Sequence, residues 1–304
     1  MFINYPHKKS TVPLRIVVPN LFTTVAMCCG LASIHYTLKQ DWDRAMFAVI
    51  LSAVFDSLDG RAARLLKVTS PFGEVLDSLA DFLSFGLAPA MLLHQWMLKD
   101  QEFGLLAVTI FVLCSAMRLA RFTAAARPGP PLAPGEEQRQ VLIKAKFFQG
   151  LATPAAAGAV MVPVMLAYSR VVGPHLRPWF GMPVGIAPEG GMLDALATPT
   201  NAFAGPVVIA YTLVIAFWQI SRVPMFSFKK MRINRRKVVP LLVAVGAVVV
   251  MAVKDLWLLI PMLALAYLAT VLLSWPSQRR IVKRPVADVP EIKIRPVPET
   301  VVER

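Results

Sequence analysis

The chain has 304 residues, of which 56% are hydrophobic, and it carries a formal net charge of +14. This hydrophobic fraction exceeds the roughly 45–50% of ordinary soluble domains, and several apolar runs approach the roughly 20 residues that cross a bilayer as a helix. We therefore predict an all-α polytopic membrane protein. The basic residues border the apolar runs and are not interleaved with exposed aromatic residues, which argues against nucleic acid and favours the lipid bilayer as the partner.

The apolar runs predict eight membrane spans. In chain order they cover about 20–38, 44–66, 72–97, 104–124, 147–168, 202–222, 238–254 and 256–275. Lys and Arg gather before the first span, on alternate connections and after the last span, so we expect both termini to be cytoplasmic in a protein of the cell (inner) membrane.

The ends of the chain and one long connection have distinct compositions. We assign 1–275 to one integral-membrane domain and 276–304, which is rich in Pro, Val and charge, to a disordered cytoplasmic tail. The connection at about 169–201, where Gly and Pro recur, is expected to be a non-cytoplasmic loop.

Four aspartates interrupt the second and third predicted spans. They belong to two helical stripes, one at positions i, i+3, i+4, i+7 and i+8 and one at four-residue steps. The stripes consist of Asp56, Asp59, Gly60, Ala63 and Arg64, and of Gly73, Asp77 and Asp81. Pro71 suits a helix start and disfavours helix at the residue before it, so the chain turns here and the two stripes are predicted to face each other.

These carboxylates need compensation, because each costs on the order of 2.5–3.5 kcal/mol at membrane depth. Arg64 is the one arginine on the stripes, so ion pairing does not balance four acids. Carboxylate oxygens suit hard ions, and four of them could hold two Mg²⁺ or Mn²⁺ ions. Two alternatives stay open: a structural role near a hydrated helix end, and a transporter or proton relay, for which no repeat or paired discontinuous helices are evident.

The motif also matches a known family. A two-metal carboxylate site suits in-line displacement at phosphorus, and the stretch 56–81 carries every fixed position of D-x2-D-G-x2-A-R-x8-G-x3-D-x3-D. It resembles the signature of the CDP-alcohol phosphotransferases. Further segments resemble the members of that family whose acceptor is serine: PNLFT at 19–23, DSLADFLSFGLAPA at 77–90, RLARF at 118–122 and FFQGLATPAAAG at 147–158.

The resemblance implies a six-helix core with two C-terminal helices added, a homodimer, CDP-diacylglycerol as donor and L-serine as acceptor. It implies that two Mg²⁺ or Mn²⁺ ions are held by Asp56, Asp59, Asp77 and Asp81. Asp81 would also act as the general base on the serine hydroxyl. Glycerol phosphate, inositol phosphate and choline remain alternative acceptors.

The resemblance and the charges also suggest substrate contacts. The residues expected around the nucleotide are Gly60, Ala63, Arg64, Gly73, Asn20 and Thr23. Asn20 also suits a helix N-cap. Phosphate or the serine carboxylate is expected to bind Arg118, Arg121 and Lys144, because cationic donors pair with carboxylates. The first two stand at i, i+3 and so can point into one volume.

Overall fold

The computed structural model describes residues 14–66, 70–125, 147–176, 204–221, 224–226 and 238–282. Its elements are α1 (Leu14–Leu38), α2 (Trp42–Leu66), α3 (Pro71–Leu98), α4 (Gly104–Ala125), β1 (Phe147–Gln149), α5 (Thr153–Val160), α6 (Val162–Tyr168), α7 (Gly173–Leu176), α8 (Ala204–Ile220), β2 (Pro224–Phe226), α9 (Val238–Lys254) and α10 (Leu256–Val282). Apart from one pairing of two three-residue strands, the described elements are helices. The prediction of an all-α membrane fold is confirmed.

Among the described residues, three helices are long and apolar enough to cross a membrane. They are Val17–Leu38, Pro71–Leu98 and Gly104–Ala124, and shorter apolar helices cover Ala204–Ile220, Leu242–Lys254 and Leu256–Thr270. Their outer surfaces expose large apolar side chains such as Leu113, Phe217 and Val249, which is the composition expected of a lipid-facing surface.

Helix α3 has a capped N-terminus and a π-helical segment in its middle. Ser70 caps its N-terminus, because its Oγ accepts a 3.0 Å hydrogen bond from the Gly73 N–H and Pro71 takes the first helical position. The helix is α-helical to Asp81 and then widens into π-helical turns over Phe82–Leu87. A π-helical segment often marks a functional site, and this one starts directly after the last aspartate of the motif.

Helix α1 packs against both α2 and α3 and so links them. Its Ala26 carbonyl accepts hydrogen bonds from Ser52 of α2 at 2.8 Å and from Ser84 of α3 at 3.2 Å. Gly30 lets α3 approach, since a Cβ there would lie 3.0 Å from the Ser84 Cα. Both α2 and the first half of α3 pack on α1, and within the described residues they pack little on each other. The two aspartate stripes therefore face each other across a gap.

The second half of the bundle packs around α5. Helix α8 lies along α4, and Ser115 donates a 2.9 Å hydrogen bond to the buried Gln219 between them. Helix α10 packs against α5, α6 and β2. Its first residue follows Asp255, a buried carboxylate that accepts hydrogen bonds from Ser169 Oγ at 2.7 Å and from the Arg170 N–H at 2.8 Å.

The structure corrects several predicted boundaries. The span predicted at 147–168 starts as strand β1, which pairs antiparallel with β2, and its helix begins at Thr153. Gly150, with φ of 73°, ends the strand in a conformation that favours glycine. Asn20 lies inside α1 and is not its N-cap, because the helix already begins at Leu14.

The predictions for the C-terminal tail and for the loop at 169–201 concern residues that the structure describes only in part. Helix α10 runs to Val282, beyond the boundary predicted at 275. The rest of the predicted tail, 283–304, and most of the predicted loop at 169–201 lie outside the described residues.

Candidate active site

The four motif aspartates come together at one end of α2 and α3. Asp56, Asp59 and Asp77 each place a carboxylate oxygen within 4.8 Å of the others. Asp81, one helical turn beyond Asp77, lies close enough to Asp56 for their carboxyl groups to interact directly. Local helical spacing puts each pair on one face, and the packing of both helices on α1 brings the two faces opposite each other.

Salt bridges do not neutralise the acid cluster in the part of the chain that the structure describes. Among the described residues, no Lys or Arg forms a salt bridge with any of the four aspartates. Asp59 is 6% exposed, and its Oδ2 accepts a 2.7 Å hydrogen bond from the Thr23 hydroxyl of α1. A neutral donor orients a carboxylate without cancelling its charge. The donor set, all carboxylate oxygens at short mutual distance, fits a hard divalent cation.

A cleft opens beside the cluster between α1, α2 and α3. Its volume is about 130 Å³. Its lining residues are Pro19, Asn20, Thr23, Asp59, Gly60, Ala63, Ser70, Gly73, Glu74 and Asp77.

Five of the six residues expected around a nucleotide line this cleft. The sixth, Arg64, lies next to it, since its Nη2 is the nearest atom to a Cβ built on Gly60, at 3.9 Å. The structure thus gathers the residues, and nucleotide binding by them stays a prediction.

The two glycines that line the cleft, Gly60 and Gly73, have different structural roles. A Cβ on Gly73 would lie 2.8 Å from the Asn20 Oδ1 and 3.0 Å from the Ser70 Oγ, so Gly73 permits the close contact of α3 with α1. Gly60 meets no atom nearer than 3.9 Å. Its missing side chain leaves room in the cleft itself.

Three lining residues were not predicted from the sequence: Pro19, Ser70 and Glu74. The sequence did hold a signal for two of them. Ser70 directly precedes a helix-starting proline, and Glu74 falls in the first turn of that helix, next to Gly73. Pro19 adjoins Asn20 in the PNLFT segment, but its place in the same cleft as Ser70 depends on how α1 and α3 pack.

Arg118 and Arg121, which were both predicted to bind an anion, contact different elements in the structure. Arg118 is partly buried, donates from Nη1 to Thr153 Oγ1 at 2.5 Å, and interacts electrostatically with Asp81. Arg121 is exposed and donates from Nη1 to the Ile220 carbonyl at 3.1 Å. Arg118 therefore lies at the start of α5, near enough to Asp81 for an electrostatic interaction, and Arg121 lies at the end of α8. Lys144 lies outside the described residues.

Comparison with known proteins gives one family and several relatives. A family model described as CDP-alcohol phosphatidyltransferase matches residues 16–187, which include the four aspartates and the whole cleft.

Three relatives share the name CDP-diacylglycerol–serine O-phosphatidyltransferase. One from Mycobacterium leprae is 38% identical over 168 residues, covering 55% of this chain and 52% of the relative. One from Mycobacterium tuberculosis strain H37Rv is 29% identical over 283 residues, covering 93% of this chain and 86% of the relative. One from Helicobacter pylori strain 26695 is 35% identical over 149 residues, covering 49% and 57%. The match thus spans little more than half the length of two of these relatives and most of the third.

Proposed function

This chain belongs to the CDP-alcohol phosphatidyltransferase family, and we propose that it transfers the phosphatidyl group of CDP-diacylglycerol to the hydroxyl of L-serine, releasing CMP. One observation carries the proposal: three carboxylates meet within 4.8 Å of one another, and two of them, Asp59 and Asp77, line a cleft of about 130 Å³. Serine as the acceptor is supported by relatives that carry that name at up to 38% identity.

The residues present fit a divalent metal. Asp56, Asp59 and Asp77 would hold Mg²⁺ or Mn²⁺ through oxygen ligands, and with Asp81 the cluster has enough carboxylates for two ions. When bound, such ions neutralise pyrophosphate oxygens and stabilise the charge that develops on the leaving phosphate.

The chain's own side chains account for the rest of the reaction. The cleft residues orient the nucleotide so that its pyrophosphate lies at the acid cluster. Asp81 accepts the proton of the serine hydroxyl while the serine oxygen forms a bond to the phosphorus that bears diacylglycerol. The bond from that phosphorus to the bridging pyrophosphate oxygen breaks, and CMP leaves with the electron pair.

Arg118 supplies a place for the acceptor. Its buried Nε has no hydrogen-bond partner in the described part of the chain, so it has a donor to offer an anion. A small amino acid would then place its hydroxyl at Asp81 and its carboxylate at Arg118. The basic side chain thus complements the group that distinguishes serine from a neutral alcohol.

Orientation, domain limits and assembly are parts of the same proposal. The distribution of Lys and Arg supports an active site and both termini on the cytoplasmic side of the inner membrane, with 1–275 as the catalytic domain and 276–304 as a tail. A homodimer is proposed on family resemblance. Cross-linking of the protein in native membranes tests the dimer. Labelling by a membrane-impermeant thiol reagent, with Leu65→Cys and Phe103→Cys compared in a cysteine-free background, tests the orientation, because these exposed residues lie at opposite ends of the helices.

The decisive experiment measures CMP release by the purified protein in detergent. CDP-diacylglycerol is offered with L-serine, glycerol phosphate, inositol phosphate or choline, each with Mg²⁺, Mn²⁺ or a chelator. We expect CMP release with serine and a metal, and its loss with the chelator. Activity with another acceptor alone would replace serine while keeping the reaction class, whereas no CMP release with any acceptor would overturn the reaction class.

A further inference from the structure

Gln219, near the end of α8, has a buried amide group that is only half satisfied in the described part of the chain. The side chain is 2% exposed, and its Oε1 accepts a 2.9 Å hydrogen bond from the Ser115 hydroxyl of α4. Its Nε2 is buried and has no hydrogen-bond partner among the described residues. Because an unpaired buried donor destabilises a protein unless a ligand or a water pairs with it, this amide is suited to bind a ligand.

A second unpaired donor lies one helical turn away. The Nε of Arg118 is buried without a hydrogen-bond partner in the same described part of the chain, while its Nη1 donates to Thr153. Ser115, which holds the Gln219 amide, and Arg118 stand at i, i+3 on α4, and residues at this spacing are neighbours on one helix face. The amide and the guanidinium therefore present their free donors from adjacent positions.

The segment 150–153 contacts both side chains or their backbones. A Cβ on Gly150 would lie 2.6 Å from the Gln219 carbonyl oxygen, so the segment passes directly against the end of α8. Three residues later, the buried Thr153 accepts the hydrogen bond from Arg118 at the start of α5. One short stretch of chain thus connects the surroundings of the two donors.

The register of α3 against α4 brings the general-base candidate to the same level. The hydroxyl oxygens of Ser78 and Thr123 are 3.3 Å apart, and a Cβ on Gly86 would lie 3.3 Å from the Ser115 Cβ. The two helices therefore run antiparallel, and Asp81 lies between the two contacts on α3. It stands opposite the turns of α4 that carry the guanidinium and hold the amide.

We infer that Gln219 is a specificity-determining residue for the acceptor: its Nε2 and the Arg118 Nε donate to the carboxylate of the amino-acid substrate, whose hydroxyl reaches Asp81. The inference rests on the proposed function, since it concerns the acceptor that this function names. An alcohol without a carboxylate leaves both buried donors unpaired, and a site of this kind discriminates strongly against such an analogue. Gln219 lies beyond residue 187, where the family match ends.

Gln219→Met tests the inference by removing the amide while keeping the length of the side chain. We expect the KM for serine to rise about 10- to 100-fold, the effect of losing a hydrogen bond to a charged group. The KM for CDP-diacylglycerol should stay within twofold of wild type. Ethanolamine keeps the amine and hydroxyl of serine and lacks the carboxylate, so CMP release with ethanolamine should also stay within twofold.

Thr212→Val is the matched control. Thr212 lies two helical turns before Gln219 on the same face of α8 and is fully buried, and its hydroxyl donates at 2.7 Å to the Val208 carbonyl of its own helix. The change likewise replaces a buried polar side chain by an apolar one of similar shape. It should leave the KM for serine at the wild-type value.

Ser115→Ala provides a second variant that keeps the amide. It removes only the hydroxyl that holds Gln219, so the KM for serine should rise less, by about 3- to 10-fold. An unchanged KM for serine in Gln219→Met would overturn the inference, and so would an equal loss of activity with serine and ethanolamine. A lower thermal stability of Gln219→Met with the wild-type KM would show that a buried water pairs with the amide, which also overturns it.

The outcomes separate this inference from the proposed function. If the wild-type protein releases CMP with serine and Gln219→Met keeps its KM, the role of Gln219 alone fails. If the wild-type protein releases CMP only with another acceptor, the proposed function fails and the role of Gln219 fails with it. Thermal unfolding of each variant verifies that the protein assayed is folded.

Discussion

The hydroxyl of Thr23 donates a 2.7 Å hydrogen bond to Oδ2 of Asp59, and this bond joins α1 to the acid cluster on α2. Both side chains are buried. By occupying one oxygen of the carboxylate, Thr23 fixes its rotation and leaves the other oxygen for a cation. Hydrogen bonds of this kind orient metal ligands and raise metal affinity.

Thr23→Val should therefore weaken metal binding. Valine keeps the shape of threonine and removes the donor. We expect the metal concentration for half-maximal CMP release to rise at least about tenfold, as for other residues that orient a ligand. Thr23→Ser keeps the hydroxyl and should stay near wild type. An identical Mg²⁺ dependence of Thr23→Val and wild type would show that the hydrogen bond does not support a metal ligand.

Gly60→Ala should impair the enzyme while leaving the fold intact. The added methyl group meets no atom nearer than 3.9 Å in the protein and alanine favours helix over glycine by up to about 1 kcal/mol, so thermal stability should hold or rise. The methyl group projects into space that the nucleotide is proposed to fill, so the KM for CDP-diacylglycerol should rise about tenfold, since overpacking costs on the order of 1–3 kcal/mol.

Gly158→Ala is the matched control for that change. Gly158 lies on α5, and a Cβ there meets nothing within 4 Å, so its stability should rise with no change in KM. Gly73→Ala should instead reduce stability, because its Cβ would lie 2.8 Å from Asn20. If Gly60→Ala kept the wild-type KM, the cleft would not be the nucleotide site.

Asp81→Asn should separate chemistry from metal binding. Removal of a general base lowers rates by roughly 10²–10⁴-fold, and asparagine keeps the shape of the side chain. Asp56, Asp59 and Asp77 remain within 4.8 Å of one another, so Mn²⁺ should still bind. The two quantities are CMP release and Mn²⁺ affinity, the latter measured by electron paramagnetic resonance. Asp77→Asn serves for comparison and should lower both. Wild-type CMP release by Asp81→Asn would contradict the assignment of Asp81 as base.

The acid cluster was predictable because it depends on local spacing. Asp77 and Asp81 stand one helical turn apart, and so do Asp56 and Asp59, so each pair shares a face in any helix that contains it. Pro71 after Ser70 likewise predicted where α3 begins. Helical spacing, together with the free-energy cost of an unpaired charge in a membrane, was enough to predict a carboxylate site.

Contacts distant in the chain could not be foreseen. Spacing within α1 did not reveal that Thr23 bonds Asp59 or that the Ala26 carbonyl accepts from Ser84. Arg118 and Arg121 share a helical face, yet they donate to α5 and to the end of α8, because different helices pack over each of them.

Strand β1 shows the same limit for secondary structure. Its apolar residues suit either a helix or a strand, and the choice depends on β2, far along the chain. The sequence pattern therefore predicts a membrane helix over Phe147–Gln149, whereas in the structure these residues form β1 and the helix begins at Thr153.

A further prediction concerns the stability contributed by Asp255, which lies outside the candidate active site. Its carboxylate is 5% exposed and accepts from the Ser169 hydroxyl at 2.7 Å, from the Arg170 N–H at 2.8 Å and from the Leu258 N–H at 3.1 Å. It thus caps α10 and ties the end of α6 to it. Asp255→Ala leaves several donors unpaired, and we expect a loss of more than about 2 kcal/mol of stability, because hydrogen bonds to charged groups contribute about 1.5–3 kcal/mol each.

The activity of the folded Asp255→Ala protein should nevertheless be unchanged. Asp255 bonds to Ser169 after the end of α6, whereas Thr153, which accepts from Arg118, begins α5, so the cap and the active site occupy different levels of the bundle. Thermal unfolding in detergent and the serine-dependent rate at low temperature measure the two quantities separately. Asp255→Asn, which keeps one acceptor oxygen, should fall between the alanine variant and wild type in stability. Equal stability of Asp255→Ala and wild type would show that this buried carboxylate does not hold the two helices together.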